Sequence, residues 1–232
     1  MIPSKKTARL AGFFYLLMLV FGGFAEVVRQ TLFVTGDMAA TANNIVSNEF
    51  LYRFGIVSEL IMMTCFVLLP LVLYKLLVSV NKNIAILMII FAIVSVPINM
   101  LNLLNSYACL QLMSGAGYLN VFESSQLQAQ AMLYHDMYLS GYEIASIFFG
   151  LWLVPFGFLV YKSGFLPRVL GFLLMIGGCG MFINVFAHFL FPSYQIVNTI
   201  LLIPGTVAEI STILWLLVRA INESKIKAKE LL

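Results

Sequence analysis

Six long apolar runs, separated by short polar segments, constrain this chain more than any other feature. They cover residues 8–31, 50–80, 84–113, 126–161, 168–191 and 196–221. About 20 apolar residues suffice for one helical crossing of a bilayer, so each run is a candidate transmembrane helix. Only 10% of the residues are charged against 62% hydrophobic, too few to cover a water-exposed surface. A soluble globular fold is excluded, and little sequence remains for a soluble domain. The expectation is one all-α domain over residues 1–232, a polytopic membrane protein of six transmembrane helices in antiparallel hairpins.

The basic residues give the orientation. Lys5, Lys6 and Arg9 precede the first run. Lys75 and Lys82 lie between the second and third, Lys162 and Arg168 between the fourth and fifth, and Arg219, Lys225, Lys227 and Lys229 follow the sixth. Eleven of the 13 basic residues thus fall on one side, leaving Arg29 and Arg53 for the other. By the positive-inside rule both termini are cytoplasmic. The same layout places the chain in a plasma membrane with the lipid bilayer as its first partner. A net charge of +3, scattered at helix ends, excludes a nucleic-acid surface. Lys5, Lys6 and Arg9 ahead of an apolar run, with small residues at 23–25, also have the layout of a secretory signal; the run is read here as a retained span.

Two longer connections are expected outside. In residues 35–49, Asp37 precedes an alanine-rich stretch, which predicts a capped short helix at the outer surface. The other passes through Ser114-Gly115-Ala116-Gly117 to Ser124-Ser125, where a serine is expected to cap a fourth helix longer than a bilayer needs. That helix should project from the membrane or break near Ser140-Gly141. Cys65, Cys109 and Cys179 stand singly in apolar segments and are expected to be buried small hydrophobes.

Polar residues interrupt the helices at matched offsets. Counting from the basic residue at each helix's cytoplasmic end, Glu26 lies 17 residues from Arg9, Glu59 16 from Lys75, Asn99 17 from Lys82, Glu143 19 from Lys162, Asn184 16 from Arg168 and Glu209 16 from Lys225. At about 1.5 Å per residue these offsets define one polar layer roughly 25 Å above the cytoplasmic charges. Asn102 continues the stripe from Asn99, Asp136 precedes Glu143 on the fourth helix, His188 is one turn from Asn184, and His135 and Tyr142 are seven residues apart. The inner halves are almost purely apolar, so a bundle closed toward the cytoplasm with an outward-facing polar pocket is expected. Its candidate lining is Glu26, Arg29, Arg53, Glu59, Asn99, Asn102, His135, Asp136, Tyr142, Glu143, Asn184, His188 and Glu209. Carboxylates at membrane depth face a bundle interior or a water-filled cavity, and two arginines cannot neutralise four of them.

Three functional readings follow. The first is a transporter-like or sensor protein that binds a small polar molecule, a cation or a lipid headgroup in this pocket. The second is an intramembrane metal-dependent hydrolase acting on lipid, with His135, His188, Asp136 and Glu143 as ligand candidates, although no HExxH spacing is present. The third is a non-catalytic accessory protein whose polar groups tie helices together. No cofactor is clearly implied; haem would need the two histidines to face each other at one depth. No GxSxG elbow, P-loop or dinucleotide fingerprint occurs, and Gly22-Gly23 and Gly177-Gly178-Cys179-Gly180 are expected to serve close helix packing.

The strings ARLAGFFYLL (8–17), TGDMAATANNI (35–45), LYRFGIVSEL (51–60), LMSGAGYL (112–119), GYEIASIFFGLWL (141–153), KSGFLPRVLGFLL (162–174) and AEISTILWLLV (208–218) resemble the bacterial integral membrane family Domain of Unknown Function 4386. The resemblance spans nearly the whole chain. It implies a prokaryotic polytopic membrane protein and, as family pattern residues, His135, Gly141-Tyr142 and Glu209. It implies no established activity and leaves the oligomeric state open.

Overall fold

A computed structural model describes residues 3–191 and 195–221, with side chains of 195–201 outside the description. Lys225, Lys227 and Lys229, which end the orientation argument, also lie outside it. Seven α-helices are described: α1 (Lys5–Leu32), α2 (Met38–Ser47), α3 (Glu49–Leu77), α4 (Lys82–Leu112), α5 (Ser124–Ser163), α6 (Arg168–Leu190) and α7 (Gln195–Val218). A single 3₁₀ turn spans Gly117–Leu119, and no strand occurs among the described residues. Five helices, α1, α3, α4, α5 and α6, are long and apolar enough to cross a membrane. In α7 the apolar stretch Leu202–Val218 is shorter. Large apolar side chains such as Val20, Leu101, Leu104, Phe172 and Leu214 are exposed along these helices, which only a lipid environment would solvate without aggregation. The architecture is that of a multi-pass membrane protein.

The helix ends follow their sequences. Ser4 caps α1, its hydroxyl accepting from the Thr7 amide at 3.1 Å. The Asp37 carboxylate accepts from the Ala40 amide at 2.8 Å, as the short capped helix requires. Asn81 caps α4 through the Ile84 amide. Between α5 and α6, Gly164 takes φ +79°, a left-handed geometry that suits glycine, while Ser163 accepts from the Leu166 amide. At the start of α5 the cap differs from the expected serine: the Glu123 amide donates to Gln126 Oε1 at 2.9 Å, half of a capping box.

Contacts divide the chain into two compact units, to each of which α1, α3, α4 and α5 contribute a segment. The first comprises residues 1–17, 65–96 and 143–232. Glycine sets its spacing. A Cβ on Gly171 would meet Tyr161 N at 2.5 Å and Gly157 O at 2.6 Å, and one on Gly178 would meet Gly150 O at 2.7 Å, so α5 and α6 touch backbone to backbone. Gly177 packs on Gly205 of α7 in the same way. The aromatic part of this core is Trp152, flanked edge-on by Phe66 and Tyr15 and stacked with Phe156. Cys65 is buried as expected, but Cys179 is exposed, because it sits one residue off the glycine face that packs.

The second unit comprises residues 18–64 and 97–142. Its core joins Val28 and Leu32 of α1, Ile45 of α2, Tyr52 of α3, and Cys109 and Leu110 of α4, with Phe24, Phe33, Met113 and Tyr134 against it. Gly55 lets α3 approach Val28 at 3.1 Å from an ideal Cβ. Gly22 faces Met62, whereas Gly23 has nothing within 4 Å and does not serve packing here. The α5 helix runs unbroken through Ser140-Gly141 for 40 residues, about 60 Å at the helical rise. Gly141 has a different use from the expected break: the Asn102 carboxamide occupies the space a Cβ would fill.

Candidate functional site

The second unit contains a cavity of about 30 Å³ lined from four helices. The α1 segment contributes Ala25, Val28 and Arg29, with Phe33 just beyond its end. From α3 come Tyr52, Gly55, Ile56 and Glu59, at the i, i+3, i+4, i+7 spacing of one helical face. Ser106 comes from α4, and His135 and Tyr138, three residues apart, come from α5. Room of this size holds one or two water molecules.

Glu59 is the central group. It is only 6% exposed, and the Tyr138 hydroxyl lies 2.8 and 2.9 Å from its two carboxyl oxygens. Tyr138 is fixed in turn, since its backbone carbonyl accepts from Asn102 Nδ2 at 2.8 Å, and Asn105 donates to Asn102 Oδ1 at 2.9 Å. The Tyr52 hydroxyl donates to the Ser106 carbonyl at 2.9 Å, and the Cys109 thiol donates to the Ala131 carbonyl at 3.0 Å. These bonds set the α3, α4 and α5 segments around the cavity.

His135 is 8% exposed and stacks on Phe33, with ring centroids 3.6 Å apart and planes 15° from parallel. Arg29 also lines the cavity, but its charge is engaged locally: Nε donates to Glu26 Oε2 at 3.1 Å and Nη2 also pairs with Glu26. Gln30 donates to the same carboxylate at 2.6 Å.

The remaining candidates fall elsewhere. Arg53 is exposed and pairs with Glu49 one turn back, Nε to Oε1 at 2.7 Å, so it meets neither Glu26 nor Glu59. Asp136 is exposed on α5, because it is one residue, about 100°, off the face that carries His135 and Tyr138. Tyr142 is exposed with its ring 6.5 Å from that of Tyr138. Asn99 is 0% exposed, and neither atom of its carboxamide has a hydrogen-bond partner among the described residues; the Ser58 hydroxyl is likewise buried without one.

Glu143, Asn184, His188 and Glu209 belong to the first unit. Glu209 accepts from the Tyr15 hydroxyl at 2.6 Å. Asn184 Nδ2 is 3.5 Å from Glu143 Oε2, a long contact, and its Oδ1 is buried without a partner among the described residues. His188 is half-buried and edge-on to Phe189. The four metal-ligand candidates are therefore divided, His135 and Asp136 in one unit and Glu143 and His188 in the other. Among the described residues no three His, Cys, Asp or Glu side chains come together as a metal site.

Tyr138, Tyr15, Tyr52 and Phe33 are missing from the sequence-derived set. Tyr138 was within reach of sequence reasoning, since it stands between His135 and Tyr142 on one helical face. Tyr15, 194 residues from Glu209, carries no local signal.

The sequence matches the family Domain of unknown function (DUF4386) over residues 10–220, nearly its whole length. The chain belongs to this family. The cavity, the Glu59–Tyr138 pair and the Glu209–Tyr15 pair all lie within the DUF4386 match. An uncharacterized protein of Archaeoglobus fulgidus is 30% identical over 138 residues, covering 59% of this chain and 68% of that relative. No solved structure matches the DUF4386 chain.

Proposed function

We propose that this DUF4386 protein is a six-span protein of the bacterial cytoplasmic membrane, a single domain over residues 1–232, that binds a small cation or small polar molecule through Glu59. Both termini lie in the cytoplasm in this reading, supported by the eleven basic residues on one side. The pocket then opens outward, with residues 35–49 at the outer surface. The observation that carries the reading is Glu59: a carboxyl buried at membrane depth, held by Tyr138 and bordering a polar cavity, with no arginine bonded to it among the described residues. Such a group needs a counter-charge or a proton. The size of the cavity favours the smaller ligands in this conformation over a lipid headgroup.

The metal-hydrolase alternative has no observation in its favour, since among the described residues no three His, Cys, Asp or Glu side chains come together. The accessory reading has one observation in its favour. Each membrane carboxylate has a local partner: Arg29 and Gln30 for Glu26, Tyr138 for Glu59, Asn184 for Glu143 and Tyr15 for Glu209. Thermal unfolding of the purified protein, scanned against lithium, sodium, potassium, ammonium and small amines, separates the two. Stabilisation by one ligand that is lost in Glu59→Gln and kept in Arg53→Ala supports binding. No ligand response, with Glu59→Gln merely less stable, supports the accessory role.

A further inference from the structure

We propose that the ligand of this cavity is a proton, carried by the Glu59 carboxyl and exchanged with the His135 imidazole through water in the cavity. The inference rests on the pocket reading above and names its ligand class. Size is the first argument, because about 30 Å³ is room for one or two waters.

Chemistry is the second. His135 is held flat by Phe33, yet among the described residues no hydrogen bond reaches its ring nitrogens, although the residue is 8% exposed and lines the cavity. An imidazole in that position keeps donor and acceptor capacity that a cavity water can use. The Glu59 carboxyl receives one phenolic proton between two oxygens, so it keeps lone pairs for a cavity water.

The surrounding groups suit this role. From α1, Arg29 lines the cavity and is paired with Glu26, which is not among the lining residues. From α3 comes the Tyr52 phenol, from α5 the Tyr138 phenol, and from α4 the Ser106 carbonyl and the Cys109 thiol, each already bonded. Asp136 is exposed. In the exchange, the carboxyl O–H bond breaks as water takes the proton, and a water O–H bond breaks as the imidazole N–H forms. Water is regenerated and one proton has moved, with no other reactant.

Infrared difference spectroscopy of the full-length protein in lipid, stepped in pH, tests this in wild type, Glu59→Gln and His135→Gln. The expected result is a protonated-carboxyl component that titrates in wild type, is assigned to Glu59 by its loss from the band in Glu59→Gln, and moves along the pH axis by about one unit or more in His135→Gln, as linked sites require. Transfer of the wild type to D₂O supplies a second readout that needs no variant: a hydrated carboxyl shifts to its deuterated frequency within the mixing time. An unchanged titration in His135→Gln, or exchange over hours, overturns the proposal. If a Glu59-dependent response to a cation or amine survives that result, the pocket reading stands and only proton exchange fails. If neither response depends on Glu59, both fall.

Discussion

Removing one oxygen atom should expose what holds Glu59. Tyr138→Phe keeps the aromatic ring, which is buried, so the packing contribution changes little and the loss is that of the hydroxyl bond to Glu59. Such a bond contributes about 1 kcal/mol to a neutral carboxyl and about 1.5–3 kcal/mol to an ionised one. For a chain of this size about 1 kcal/mol corresponds to roughly 2–4 °C, so the apparent Tm should fall by roughly 2–12 °C, and by more at alkaline than at acid pH. Unfolding in mild detergent can be followed by the fluorescence of Trp152, which is buried beside Tyr15. The double variant Glu59→Leu with Tyr138→Phe should fall short of additivity by about 1 kcal/mol, because leucine has no acceptor and each single change already breaks the same contact. Arg53→Ala is the control: its pair with Glu49 is half exposed and should cost under about 0.5 kcal/mol. A Tyr138→Phe loss no larger than that of Arg53→Ala, or strict additivity in the double variant, refutes the reasoning.

Other expectations follow from the same geometry. Gly177→Ala should destabilise by about 1–3 kcal/mol, read as a lower apparent Tm, because its Cβ would overlap the Gly205 Cα; Gly205→Ala should cost less, its Cβ lying 3.3 Å from Gly177 Cα. Asn99→Leu should be neutral or stabilising, since the carboxamide is buried without a described partner, and a loss above about 2 kcal/mol would show that Asn99 holds a water or another polar group. In a Cys179→Ala background, Thr35→Cys should react with a membrane-impermeant thiol reagent in intact cells and Asn83→Cys should not; the reverse pattern inverts the topology.

The helical spans were legible because bilayer thickness and charge scarcity leave one kind of structure for such runs. Local chemistry was legible for the same reason: Asp37 before an alanine-rich stretch caps α2 as it must. Helical spacing alone misled where it counted residues without fixing rotation. Asp136 and His135 are neighbours in sequence and share a depth, yet one is exposed and the other lines a cavity. Arg53 is one of the two arginines on the side of the layer's carboxylates, but Glu49 one turn away engages it at no cost in chain entropy. The partners of the buried acids were the least legible part. Tyr138 and Tyr15 reach Glu59 and Glu209 across 79 and 194 residues, and only tertiary packing decides which phenol meets which carboxyl.

The most direct test is an experimental structure in a lipid environment at a resolution that shows ordered water. The account predicts density for one or two waters, or a small ion, within hydrogen-bonding distance of both Glu59 and His135, with the Tyr138 hydroxyl still on the Glu59 carboxyl. A dry, collapsed cavity, or a Glu59 side chain turned to lipid, would contradict it.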